Sequence, residues 1–141
     1  MTGRREARRL AIDILYQADV TDAAPAEVLN GWVGAGRAVP PFTRGLVEGV
    51  SAFQSEIDLQ LEEHAEGWTV ARMAALDRTI LRVGVFELLH GGDVPPSVAI
   101  SEAVEAASDL SADESKRFVN GVLGRIARES APPAGEVEPQ A

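Results

Sequence analysis

Two short segments carry most of the chemically distinctive residues of this 141-residue chain. Residues 4–9 read Arg-Arg-Glu-Ala-Arg-Arg, and residues 114–128 hold Lys116, Arg117, Arg125 and Arg128 against the single acid Glu114. On a helical wheel, Arg5, Arg9, Asp13 and Tyr16 share one face opposite the Ala11/Leu15/Ala18 stripe, and Arg8 flanks them. In the last helix the stripe through Val119, Val122 and Ile126 leaves Phe118 off its edge. Phe118 shares a face with Glu114, Gly121 and Arg125, and Arg117 and Arg128 lie next to it. A large aromatic displaced from its own core stripe and ringed by cations is what single-stranded RNA requires. Arginines neutralise phosphates and the ring stacks an unpaired base, worth about 1–3 kcal/mol per base. Two packing alternatives stand beside this reading: Phe118 as a core residue at the edge of its stripe, and the arginines as solubilising groups, with Arg9 paired to Asp13 at i,i+4.

Catalytic constellations are absent. The chain has no cysteine, which excludes a disulfide scaffold, a zinc ribbon and a thiol nucleophile. Lys116 is its single lysine, and no phosphate-binding loop precedes it. Gly31–Gly36 has glycines at the wrong spacing and follows no strand. Gly49-Val-Ser51-Ala-Phe53 begins like a nucleophile elbow but places phenylalanine where the second glycine belongs. Neither histidine has a ligand-type residue at i+4, so no metal site and no cofactor is expected. His64, among Glu62, Glu63 and Glu66, reads as part of a solvated charged turn. His90, at the end of an apolar helix, reads as favouring that helix's C-terminal dipole. The expectation is a protein that is not an enzyme.

The elements that must position these residues are helical throughout. Ala7, Leu10, Ala11, Ile14, Leu15 and Ala18 draw one amphipathic stripe. Pro25 opens a short helix through Val28, Leu29 and Trp32 that ends at Gly34 and Gly36. After Pro40-Pro41, the spacing of Phe42, Leu46, Val50, Phe53, Ile57 and Leu61 predicts one long helix closing near Gly67. Gly45 and Gly49 inside it predict close packing against another helix. Leu76 to Leu89 is apolar around most of its circumference, which marks a central helix. Pro95-Pro96 opens the next, with Ile100, Ala103, Val104, Ala107 and Leu110 inward. The last begins near Ser111, where Ser111-x-x-Glu114 has capping-box spacing. The predicted fold is all-α, a compact domain of about seven helices over residues 1–130. Residues 131–141, rich in Pro, Ala, Gly and Glu, read as a disordered tail.

Net charge is −9 and uneven: 48–66 carries six acids and no base except His64. Basic ends and an acidic middle predict one surface for a polyanion and another for a basic partner. No apolar run approaches the 18 residues of a membrane span, and Asp13, Gln17 and Asp19 interrupt the stretch after the arginines where a signal peptide would need continuity. The expected location is cytoplasmic.

Several segments together resemble the NusB family of bacterial transcription antitermination factors. They are Arg4-Arg5-Glu6-Ala7-Arg8 followed by Leu15-Tyr16-Gln17, and Asp77-Arg78-x-Ile80-Leu81-Arg82 with Phe86-Glu87-Leu88. Val94-Pro95-Pro96-x-Val98-Ala99-Ile100-x-Glu102-Ala103 follows, and Phe118-Val119-Asn120-Gly121-Val122-Leu123 is the most specific. The resemblance covers about 3–128. It implies two packed helical subdomains, no catalytic activity, and binding to the boxA RNA of ribosomal RNA operon transcripts together with the ribosomal protein NusE in the RNA polymerase antitermination complex. It also implies an RNA surface on Arg4, Arg5, Arg8, Glu114, Arg117 and Phe118. Arg9, Lys116 and Arg125 join that set by position. The NusE surface falls by resemblance around Asp77, and Glu87 with the acidic 48–66 stretch joins it on charge grounds. Glu6 and the negative net charge depart from the more basic members and predict weak RNA affinity without the partner. Two other readings remain: a homodimeric interaction scaffold using Trp32, Trp68 and the glycine-bearing helix, and the RNA-binding module of a ribosomal RNA methyltransferase, disfavoured because no cofactor-binding half follows.

Overall fold

A computed structural model describes residues 3–130. Seven helices follow one another: α1 (Arg4–Thr21), α2 (Pro25–Gly34), α3 (Pro41–Ala52), α4 (Gln54–His64), α5 (Ala75–His90), α6 (Pro96–Leu110) and α7 (Asp113–Ser130). A 3₁₀ turn, Val70–Arg72, lies between α4 and α5. No strand occurs among the described residues, and none of their helices is long and apolar enough to cross a membrane. The tail expected over 131–141 lies outside the described residues. Helix α5 is the axle: α1 and α3 pack on it from one half of the molecule, and α4, α6 and α7 from the other. Its apolar circumference has this cause, and Ile80, Leu81, Val83 and Val85 are all but sealed from solvent. One continuous core joins the two halves.

Proline at the first turn starts α2, α3 and α6, where its fixed φ and missing N–H cost nothing. Gly36 and Gly92, at φ +84° and +64°, end the chain's excursions after α2 and α5.

The single long helix expected after Pro41 is two. Phe53, at φ −109° and ψ 19°, breaks it into α3 and α4. The stripe continues in phase across the break, so periodicity alone registers no interruption. Its cause is tertiary: α3 packs on α1 and α2, whereas α4 packs on α5 and α7, and a straight rod could not reach both. Phe53 itself leaves the core (41 % exposed) and stacks on His90 with ring centroids 4.0 Å apart. The capping box expected at Ser111 is also not formed. Ser111 Oγ donates to Asp77 Oδ1 at 2.9 Å and lies 3.0 Å from Ser115 Oγ, and α7 starts at Asp113.

Of the two α3 glycines, one is a packing device and one is not. A Cβ on Gly49 would stand 2.2 Å from the Phe86 ring, while a Cβ on Gly45 would meet nothing. Gly45→Ala is therefore expected to stabilise the fold by up to about 1 kcal/mol, and Gly49→Ala to destabilise it by about 1–3 kcal/mol through overpacking. Urea denaturation midpoints of the two variants measure the contrast.

Candidate functional site

The four N-terminal arginines form a ladder of ion pairs. Arg4 donates to Asp93 at 3.2 Å, Arg9 to Asp109 at 3.0 Å, and Arg5 makes a two-bond fork to Glu102 at 3.0 and 3.1 Å. Arg8 is different in kind. Its guanidinium donates to both oxygens of Glu87 at 2.8–3.1 Å, and both side chains are buried (7 % and 2 % exposed). Arg8 also lies over the Phe42 ring, 5.1 Å from its centroid. The buried arc of α1 is wider than its small-residue stripe because Ile12 is buried too, and Arg8 stands one turn before Ile12 on the same face. Hydrogen bonding to Arg5, against the opposing effect of burial, holds the Glu102 carboxyl below the usual carboxylate range, and the same bond raises the Arg5 guanidinium.

At the head of α7 the arrangement is open. Phe118 is half-buried and meets Trp68 edge to face, with ring centroids 6.2 Å apart and planes at 63°. Between the 3₁₀ segment and α7 lies an open cleft of about 590 Å³. Its walls include both rings, Arg72, Met73, Asp77 and Glu114. Lys116 and Arg117, which precede Phe118 in α7, are exposed, and neither has a carboxylate within 4 Å among the described residues.

A profile of the NusB family matches residues 5–128. The chain is 54 % identical over 131 residues to the transcription antitermination protein NusB of Saccharopolyspora erythraea, covering 90 % of this chain and 88 % of that one. It is 49 % identical over 146 residues to that of Leifsonia xyli, covering 98 % and 99 %. The chain belongs to the NusB family. Among solved structures, T. maritima NusB superposes with a TM-score of 0.83 at 32 % identity, covering 93 % of this chain and 94 % of that one. The NusB of a crystal structure of antitermination factors NusB and NusE in complex with dsRNA superposes at 0.79 and 26 % identity, covering 89 % and 96 %. The family is one of transcription antitermination proteins, not of enzymes.

The structure divides the residues expected to form one RNA surface. Glu114, Lys116, Arg117 and Phe118 gather at the head of α7, but no N-terminal arginine lines their cleft. Arg8 is removed from any RNA surface by its buried bond to Glu87, and Glu87 is removed from any partner surface by the same bond. Arg125 is also engaged: its Nε and Nη2 donate to the His64 carbonyl at 3.0 and 2.8 Å, tying α7 to the end of α4. Arg4, Arg5 and Arg9 remain accessible, each shared with a carboxylate of α6 or the turn before it. Asp77 keeps its place on the cleft wall, bonded to Ser111.

The acidic 48–66 stretch is less free than its charge implied, since Glu48 pairs with Arg44, Glu56 with His90, Asp58 with Arg82, and Glu62 accepts from the Val70 N–H. His64, expected in a solvated turn, is 5 % exposed. Its Nδ1 lies 2.8 Å from the Gln60 carbonyl and its Nε2 3.0 Å from Glu129 Oε1. Burial opposes its charge, but two acceptors outweigh burial and raise its pKa.

The sequence offered Trp68 only to a homodimer interface, yet its side chain is the cleft's second ring and is 48 % exposed. It follows Gly67 at φ +78° in a loop that no wheel could place.

Two outcomes are expected. Glu87→Ala strands a buried guanidinium and should cost about 3–5 kcal/mol in urea denaturation, most of it recovered by replacing Arg8 and Glu87 together with methionine. A raised folded pKa means that His64 stabilises most below the ordinary histidine value near 6.5, and loses that contribution as pH rises through its folded value. The denaturation midpoint should fall between pH 6 and pH 9, and Glu129→Gln should shrink that fall.

Proposed function

We propose that this chain binds the boxA RNA of ribosomal RNA operon transcripts together with NusE, within the RNA polymerase antitermination complex. The observation that carries this reading is the half-buried Phe118 at an open cleft, with Lys116 and Arg117, which meet no carboxylate within 4 Å among the described residues, on the same turn of α7. The ring offers a stacking face and the cations meet phosphates. Arg4, Arg5 and Arg9 extend the phosphate track from α1, each exchanging a carboxylate for a phosphate. Such an exchange gains less than a new pair, so α7 carries most of the electrostatic contribution.

NusE docks against the wall around Asp77. A basic partner there offsets part of the −9 net charge and adds phosphate contacts of its own, which couples the two binding events. The relatives' role as transcription antitermination proteins and the solved complex of NusB and NusE with dsRNA support this assignment.

The test is a titration of labelled boxA RNA at two salt concentrations, with and without NusE. Phe118→Ala should weaken RNA binding by about 1–3 kcal/mol with helicity intact. Lys116→Ala and Arg117→Ala should each flatten the log–log salt slope by about 0.7. Arg5→Ala should flatten it less, and Arg8→Glu87 pairing predicts no change in slope for a folded Arg8→Met, Glu87→Met double variant. Asp77→Arg should remove the enhancement by NusE while leaving RNA binding alone at its low level. RNA affinity unchanged in Phe118→Ala and in both cation variants would contradict the reading.

A further inference from the structure

We infer that Trp68 is a second base-stacking residue, and that the cleft it forms with Phe118 seats one unpaired nucleobase of the bound RNA. The inference rests on the RNA-binding reading of α7. The chain's other tryptophan, Trp32, is buried, bonded to Gln17 at 3.2 Å and covered by the Arg37 guanidinium. Trp68 is 48 % exposed, although its loop is not loose. The Trp68 N–H donates to the Ala65 carbonyl at 3.0 Å, and Glu62 accepts from the Val70 N–H at 2.8 Å. Arg78 reaches from α5 to the Val70 and Met73 carbonyls at 2.9 and 3.3 Å, while Asp19 of α1 anchors the same guanidinium at 2.6 Å. These bonds fix the backbone that carries Trp68, and the edge-to-face contact with Phe118 braces its indole. A rigid aromatic platform loses little entropy when a ligand lands on it.

The occupant follows from the distribution of charge. Met73, Ala74 and Ala112 add apolar lining to the cleft, and Arg72 stands on its wall. Arg117 flanks Glu114 on the helix surface just outside, whereas Lys116 lies on the opposite side of α7. Arg72, like them, has no carboxylate within 4 Å among the described residues. An apolar side chain of a protein partner would satisfy the rings and leave Arg72 and Arg117 without counter-charge. A nucleotide matches both: flat faces for the rings, a phosphate for the cations. Glu114 excludes phosphate from the interior and accepts hydrogen bonds from base N–H groups. The edge-to-face contact occupies one face of only one ring, so a flat ligand finds an open π-surface.

The experiment adds boxA RNA to the full chain bound to NusE and follows tryptophan emission together with affinity. RNA should quench the wild-type emission, and the quench should vanish in Trp68→Phe, whose remaining emission comes from the buried Trp32. Trp68→Ala should weaken RNA binding about 5- to 150-fold, the range given by alanine substitution of stacking residues, while Trp68→Phe keeps binding within a few-fold of wild type. Both variants should keep the wild-type helical circular dichroism, since the side chain is half outside the fold. RNA affinity unchanged in Trp68→Ala overturns the inference and leaves the RNA-binding reading standing. Loss of NusE association with RNA affinity retained overturns it too, making the cleft a seat for protein. Absence of saturable RNA binding by the wild-type chain overturns the reading and the inference together.

Discussion

A guanidinium and a carboxylate face one another in the interior of this protein, and the placement of α1 follows from them. Arg8 and Glu87 hold three hydrogen bonds at 2.8–3.1 Å with almost no water access. Burying two charges costs several kcal/mol per ion, which only good geometry and a full set of partners offsets. The pair therefore does not make the molecule stable so much as make one docking of α1 tolerable and the others not. With Arg8 fixed against α5, Arg5 and Arg9 are delivered to Glu102 and Asp109 on α6, and Arg4 to Asp93. A cluster that reads as an RNA-binding patch is first an internal fastening.

That fastening moves the open positive charge elsewhere. Arg78 and Arg82 are taken up by Asp19 and Asp58, and Arg125 by the carbonyl at the end of α4. Among the described residues Arg37, Arg72, Lys116, Arg117 and Arg128 are exposed with no carboxylate within 4 Å, and of these Arg72 lines the cleft and Arg117 adjoins it, beside two aromatic rings. In a chain of net charge −9 these two form a local island. Long-range attraction of a polyanion is weak, so under the proposed function contact chemistry (stacking and short-range pairing) decides where RNA sits, and a basic partner supplies what the chain lacks.

The helices were legible from periodicity because each buries one stripe, and α5 was legible as central because it buries nearly all of itself. Three features were not. The break at Phe53 leaves the stripe in phase, and its cause is the divergence of α3 and α4 toward different neighbours, which no single segment records. Ser111 has capping spacing, but its hydroxyl is drawn to Asp77, 34 residues away. Arg8 looks solvent-facing on a wheel centred on small residues, and only Glu87, 79 positions on, explains its burial. For the site, Phe118 was singled out because it departs from its own helix's stripe, and its half-buried ring also packs against the core. Trp68 was not found, because a loop residue has no stripe to violate.

The central claim, that RNA is met chiefly at the head of α7, with the arginine-rich start of α1 secondary, is tested most directly by a ¹⁵N–¹H NMR titration of the NusE-bound chain with boxA RNA. The account predicts the largest shifts at the Trp68 indole N–H and at the backbone amides of 114–118, and little movement of the Arg8 and Glu87 signals. Shifts concentrated on Arg8 and its neighbours in α1, with the indole and the α7 amides unmoved, would contradict it.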